Sequence, residues 1–179
     1  MSRIIEDIDV AVPVRVAYDQ WTQFVSFPKF MAGIDRVVQV DDKTLEWTAT
    51  IAGVVKHWRA EIVEQQPDDL VAWRSIEGAH NDGLVRFEPL GPERTKVVLQ
   101  LEVEPEGFVE KAADALGVVE RRVRGDLERF RDFIESRGAP SGGWRGHIED
   151  GHVEDDDDQP DGETGTTPRR ETTEIGNRG

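Results

Sequence analysis

Cysteine is absent from this chain of 179 residues. Disulfide bonds, thiolate nucleophiles and cysteine-based zinc sites are therefore excluded. The N-terminal segment 1–9 alternates apolar with acidic residues and lacks the apolar core of a signal peptide. No apolar run approaches the length that is needed to span a bilayer. We therefore expect a cytoplasmic protein without membrane insertion, as the lack of cysteine also favours.

Positive charge is scarce as well. The chain carries 22 Lys and Arg against 37 Asp and Glu, a formal net charge of −15. Binding to nucleic acid relies on clustered Lys and Arg that contact phosphates, so we expect no nucleic-acid partner. Glycine-rich phosphate loops, nucleophile elbows and HExxH metal motifs are also missing. The charge is that of a soluble protein.

Large apolar residues become rare after residue 138. The hydrophobic content of the whole chain is 37%, which is low for a fully folded protein. The segment 139–179 contains paired glycines, a run of four aspartates and a Thr/Arg/Gly ending. This composition predicts a disordered acidic tail over 139–179 and one folded domain over 1–138.

Hydrophobic periodicity divides the first 138 residues into strands and helices. Pro13 opens a first helix, and a short helical turn follows near residues 27–30. The turn-forming links between the later runs are too short for parallel crossovers, so the strands form one antiparallel meander. A long helix carries one continuous apolar stripe and ends at Gly138. The predicted strands are 3–11, 34–41, 43–51, 54–66, 69–77, 83–90 and 94–104, and the long helix is 107–137.

Alternation along these strands separates an apolar face from a charged face. The apolar face carries Trp47, Trp58 and Trp73, which alternate with small residues such as Ala60 and Ser75. The stripe of the long helix is the natural cover for this face. Since a curved sheet cannot touch one helix along its whole length, the three tryptophans line either a packed core or a cavity.

Groups that perform acid–base chemistry are few on the apolar face. His57 and Arg59 point away from it in an unbroken strand, and Lys56 lies near the strand's start; these three are weak catalytic candidates. His147 and His152 stand near the aspartate run without a visible scaffold, so no metal site and no cofactor are predicted.

The order of one strand, two short helices, six strands and a long helix is similar to that of a known superfamily. Local strings strengthen the likeness: 12–21 (VPVRVAYDQW), 24–31 (FVSFPKFM), 71–75 (VAWRS) and 127–135 (LERFRDFIE). Over residues 1–138 the chain resembles the START-like superfamily (SRPBCC), in the branch of polyketide cyclase/dehydrase and coenzyme Q-binding START-domain proteins. The resemblance implies an α+β helix-grip fold (START/Bet v 1-like), in which a seven-stranded curved antiparallel sheet wraps on the C-terminal helix around a ligand cavity.

The resemblance leaves the activity open. The resemblance implies that cyclases of this superfamily orient a poly-β-keto chain with Arg, Tyr or His side chains in the pocket. In this chain the corresponding inward-facing strand positions are Trp58, Ala60 and Ile62. No catalytic residue is therefore carried over, and binding of a small apolar ligand, aromatic, isoprenoid or polyketide-like, is the favoured function. The expected ligand-binding residues are Trp47, Trp58, Trp73, Ser75, Phe87, Phe108, Leu116 and Val119.

Two alternatives stay open. The first is a polyketide cyclase/dehydrase that acts by enclosing and orienting a reactive chain. The second is an interaction domain without a cavity that acts on a partner through its acidic tail. In each case we expect a monomer or a weak dimer.

Overall fold

A computed structural model describes residues 1–51, 53–104 and 114–154. The chain begins with strand β1 (Ser2–Val10), which is followed by helix α1 (Val14–Trp21) and a 3₁₀ helix (Phe24–Lys29). Pro13 occupies the N-cap of α1, where its fixed φ of −57° and missing N–H do no harm. Both short helices bury aromatic side chains, which anchor them to the sheet.

An antiparallel sheet forms the body of the molecule. The six strands after β1 are β2 (Ile34–Gln39), β3 (Thr44–Ile51), β4 (Val54–Gln66), β5 (Leu70–Gly78), β6 (Asn81–Gly91) and β7 (Arg94–Val103). Their order in the sheet is β1-β7-β6-β5-β4-β3-β2. This arrangement confirms the predicted helix-grip fold and its meander of hairpins, with β7 returning to pair with β1. The register places Ser2 opposite Val103 and Val10 opposite Thr95.

Helix α2 (Ala115–Arg137) covers the apolar face of the sheet. Asp114 caps it by accepting a hydrogen bond from the Gly117 N–H at 3.0 Å, and Gly138 ends it in a left-handed conformation with φ 69°. The predicted start at residue 107 falls in 105–113, outside the described residues. The predicted stripe is buried at Val119, Val123, Leu127, Phe130 and Ile134.

The structure contradicts the predicted end of the folded domain at residue 138, because residues 139–146 bond to α1 and the hairpin of residues 147–154 joins β4. Strands β8 (His147–Glu149) and β9 (His152–Glu154) form a hairpin, and Ile148 pairs with Gln65 of β4. Ile148 is fully buried. Asp150 and Gly151, with φ 50° and 74°, make the two-residue turn with positive φ that suits a hairpin. The rest of the predicted tail, 155–179, lies outside the described residues.

Residues 139–146, the C-terminal strap, connect α2 to this hairpin across α1. The Ser141 N–H donates to Gln20 Oε1 at 2.8 Å, and the Trp144 N–H donates to Thr22 Oγ1 at 3.0 Å. Gln20 and Thr22 are buried polar residues at the C-terminal end of α1. The strap therefore provides hydrogen-bond partners that a domain ending at residue 138 would lack.

Arg145 of the strap joins two acidic groups. Its guanidinium contacts Asp19 Oδ1 at 2.6 Å and Asp68 Oδ2 at 2.7 Å, and it lies 5.5 Å from the ring centroid of Tyr18. Tyr18 is itself fully buried and accepts a hydrogen bond from Gln65 Nε2 at 3.1 Å. Burial is the main reason that the pKa of Tyr18 is raised to about 12. The Arg145 contacts fasten the strap to α1 and to the turn between β4 and β5.

Candidate functional site

A cavity of about 130 Å³ lies between the sheet and α2. The sheet contributes alternate residues of β3, β4, β5 and β7, the helix contributes one apolar row, and the 3₁₀ helix closes one side. Nearly all of the surrounding groups are apolar. Among the residues that line the cavity are Trp21, Phe24, Phe27, Met31, Leu45, Trp47, Trp58, Ala60, Ile62, Trp73, Leu101, Val119 and Val123.

Two tryptophans stack on one wall of this cavity. Trp47 and Trp58 face each other in the β3–β4 register, with ring centroids 5.8 Å apart and planes 2° apart. Phe27 meets Trp47 edge-on at 5.6 Å. Since the two residues are cross-strand partners, the sheet holds both rings in place and gives this wall a fixed aromatic surface.

Trp73 contributes to a second wall through a different support. Its indole Nε1–H donates to Asn81 Oδ1 at 3.3 Å, at the weak end of hydrogen bonding. The ring lies directly over Gly83, where an added Cβ would stand 2.3 Å from Trp73 Cζ2. Glycine at position 83 is therefore what lets Trp73 lie flat beside the cavity.

Arg122 and Asp126, the polar corner, are one turn apart on α2 and also line the cavity. Arg122 donates to the Ala32 carbonyl, and Asp126 Oδ1 accepts from the Ala32 N–H at 3.0 Å and from Arg129. Burial raises the pKa of the Asp126 carboxyl, although the Arg129 guanidinium opposes the shift. The cavity thus has a cation and a carboxyl at one place, in a lining that is otherwise apolar except for Asn81.

The structure brings four of the eight predicted ligand-binding residues to the cavity: Trp47, Trp58, Trp73 and Val119. Phe87 instead packs in the core, against Tyr18 at 5.5 Å and Trp21 at 6.1 Å. Leu116 is 36% exposed.

Two further predicted residues do not join this group. Ser75 does not line the cavity, because its hydroxyl donates to Asp82 Oδ1 at 3.2 Å and accepts from the Asn81 N–H. The last of the eight, Phe108, lies outside the described residues.

The three weak catalytic candidates do not line the cavity. His57 is exposed on the outer face, with Nδ1 3.1 Å from Thr48 Oγ1. Arg59 pairs with Glu46 on the same face, and Lys56 is half-buried. The outward direction that strand parity predicts for His57 and Arg59 therefore agrees with the structure. Further along β4 the register shifts between Ile62 and Glu64, and the buried residue there is Gln65.

The sequence-based prediction of the site does not include the polar corner or the residues of the 3₁₀ helix. Arg122 and Asp126 lie beside Val123, at the edge of the apolar stripe of α2. Helical periodicity therefore indicates both residues if the stripe is taken to include the positions at its edge. The 24–31 segment offers a clearer signal, because three phenylalanines and a methionine stand within eight residues.

Comparisons with known proteins agree with this geometry. Residues 10–131 match the model of a family described as polyketide cyclase / dehydrase and lipid transport. An uncharacterized 17.2 kDa protein of Streptomyces lincolnensis is 48% identical over 149 residues, which cover 83% of this chain and 99% of that protein.

Solved structures show the same fold at lower identity. The Zhui aromatase/cyclase from Streptomyces sp. R1128 superposes with a TM-score of 0.64 at 21% identity, covering 80% of this chain and 99% of that one. A START superfamily protein from Mycobacterium smegmatis gives 0.58 at 16% identity, with coverage of 75% and 95%. At these identities, both comparisons show a shared fold alone. Within the described part of the chain, no helix is long and apolar enough to cross a membrane.

Proposed function

The chain belongs to the polyketide cyclase / dehydrase and lipid transport family, and we propose that it binds one small apolar ligand in the cavity between sheet and helix α2. The ligand class is aromatic, isoprenoid or polyketide-like. The observation that supports this most is the stacked pair Trp47–Trp58, whose aromatic rings line the cavity. A monomer or weak dimer in the cytoplasm suits a protein of this kind.

The volume of the cavity restricts the part of the ligand that it encloses. An engineered apolar cavity of roughly 150 Å³ accepts benzene, so a cavity of about 130 Å³ encloses about one aromatic ring or an isoprene unit. Arg122 stands beside that space and suits a carbonyl, phenolate or carboxylate oxygen. We therefore infer a ligand with a ring or prenyl group at one end and an oxygen function within reach of the polar corner.

Tryptophan fluorescence tests this proposal. Quinones, lipids and aromatic polyketides are titrated into the full chain, and one class should give saturable quenching. Ala60→Leu fills the cavity and should abolish the quenching, whereas Ala72→Leu makes the same change at a half-buried position that does not line it. Absence of saturable quenching by every class would sink the proposal, as would equal binding by both variants.

A second candidate function, a cyclase or dehydrase, is favoured by the polar corner. Such enzymes move protons at a ketone or a departing hydroxyl, and Asp126 is a carboxyl of raised pKa beside the cavity. The test incubates a linear poly-β-ketone with the protein and follows ring formation by mass spectrometry. Turnover that disappears in Asp126→Asn while ligand quenching persists would establish catalysis; no turnover leaves binding alone.

The acidic tail supplies a third test. Because the strap and hairpin belong to the fold, a truncation that removes the tail alone should begin after Glu154 rather than after residue 138. We expect the truncated protein to bind the ligand as the full chain does. Loss of a protein partner together with unchanged quenching would assign the tail a separate interaction role.

A further inference from the structure

The β8–β9 hairpin presents two histidines and two glutamates on one face. Its sequence, His147-Ile-Glu-Asp-Gly-His-Val-Glu154, alternates these residues with Ile148 and Val153. Ile148 is buried and Val153 packs against the core, so the alternate side chains face solvent. The register sets His147 opposite Glu154 and Glu149 opposite His152, which brings all four to one side of a two-stranded ribbon.

Three of these side chains converge closely. Ligand atoms of His147, Glu149 and Glu154 all lie within 4.8 Å of one another. The His147 Nε2 to Glu149 Oε2 distance is 3.9 Å, too long for a hydrogen bond. In a tetrahedral site with bonds of about 2.0–2.2 Å, ligand atoms stand roughly 3.3–3.6 Å apart. Small side-chain rotations therefore bring the three groups to coordination distance around one point.

The hairpin that carries them is held in place from both sides. The Gly151 N–H donates to the Val63 carbonyl at 2.9 Å, and Lys43 Nζ donates to the Gly151 carbonyl at 2.8 Å. Ile148 is paired with Gln65 on β4. The backbone is thus arranged before any ligand arrives, and this is the scaffold that the sequence pattern did not reveal.

We propose that the β8–β9 hairpin binds one divalent first-row transition ion of the Zn²⁺ class. His147, Glu149 and Glu154 are its ligands, and His152, opposite Glu149, is the fourth. Imidazole nitrogen favours Zn²⁺, Co²⁺ or Ni²⁺ over Mg²⁺ and Ca²⁺, which prefer six or more oxygens. The site stands apart from the cavity, since none of its residues lines that space.

Isothermal titration of the full chain with Zn²⁺ tests this proposal, with millimolar Mg²⁺ present to occupy sites made of oxygen alone. One saturable equivalent is expected, with a rise in Tm that EDTA reverses. His147→Ala and the near-isosteric pair Glu149→Gln/Glu154→Gln should each weaken binding by at least about tenfold. Circular dichroism in the absence of metal establishes that each variant folds.

Two matched controls separate the hairpin from other cation-binding groups. His57→Ala removes a histidine of β4, and replacement of Asp155–Asp158 by asparagine removes the acidic run that follows the hairpin. Both should keep the wild-type affinity. The proposal is overturned if no saturable Zn²⁺ binding occurs, if His147→Ala binds as wild type does, or if the asparagine variant loses the site.

Discussion

Trp47 and Trp58 lie face to face across β3 and β4, with ring centroids 5.8 Å apart and planes 2° apart. Only Trp58 is fully buried, at 6% exposure, whereas Trp47 is half-buried. The pair therefore has an inner ring that supports the core and an outer ring that leads towards solvent. Different consequences follow for the two positions.

Replacement of Trp58 by Ala should lower the free energy of unfolding by about 3 kcal/mol. Tryptophan-to-alanine changes in cores cost about 3–5 kcal/mol, and the lower end applies because one side of Trp58 already faces open space. Trp47→Ala should cost less, because Trp47 is less buried. Urea denaturation measures both, and a larger loss for Trp47→Ala would contradict this assignment of roles.

Tyr18 should titrate near pH 12 in the folded protein and near 10 in urea. It is the chain's single tyrosine, so tyrosinate absorbance reports on it directly. Because the folded pKa is raised, the stabilisation is fully present below pH 10 and is lost as the pH rises to 12, about 2 to 3 kcal/mol in all.

The Tyr18→Phe variant is the control for this titration. It should lose the absorbance change altogether, and its stability should fall less than that of the wild type between pH 10 and 12. A native titration midpoint near 10 would mean that the phenol is hydrated, contrary to its complete burial.

Arg145→Ala should reduce the free energy of unfolding by about 2 kcal/mol, since it removes charge-assisted bonds to Asp19 and Asp68. Arg145→Lys should recover part of the loss, because it keeps the charge without the planar fork. Within the described residues, Arg131 pairs only with its exposed neighbour Asp132, so Arg131→Ala should stay within about 0.5 kcal/mol of wild type. Equal effects at 145 and 131 would mean that the strap contributes little stability.

Gly83→Ala should displace Trp73 and destabilise the protein by about 1–3 kcal/mol, because the new methyl group would overlap the indole ring. Gly91→Ala is the matched control and should be nearly neutral, since among the described residues none but its chain neighbours lies within 4 Å of the Cβ that alanine would add there. The measurement is the Trp emission maximum together with urea denaturation. An unshifted spectrum in Gly83→Ala would show that Trp73 does not rest on residue 83.

The fold is predictable because each element has a clear period. The β4 prediction, 54–66, matches the observed strand Val54–Gln66, and the stripe from Val119 to Ile134 is the buried face of α2. The hairpin escapes prediction because the acidic composition around it indicates disorder. Its local signal is nevertheless present: Asp150-Gly151 is a favoured two-residue turn, and the apolar residues beside it alternate.

The cavity is only partly predictable for a different reason. Strand parity assigns a side chain to a face, but it does not tell which part of that face another element covers. Phe87 has the expected parity, yet α1 lies over it and makes it core. Arg122 and Asp126 are easily overlooked because charged residues beside a stripe usually face solvent.

The pairing of β1 with β7 has a consequence for how the molecule assembles. Ser2 pairs with Val103, and the α1 side chains Asp19 and Gln20 bond to Arg145 and Ser141 of the strap. β1 and α1 therefore leave the ribosome well before the segments that complete them, which raises the contact order and slows folding. Until the strap and the β8–β9 hairpin dock, the nascent chain exposes the polar end of α1 and the part of β4 around Gln65.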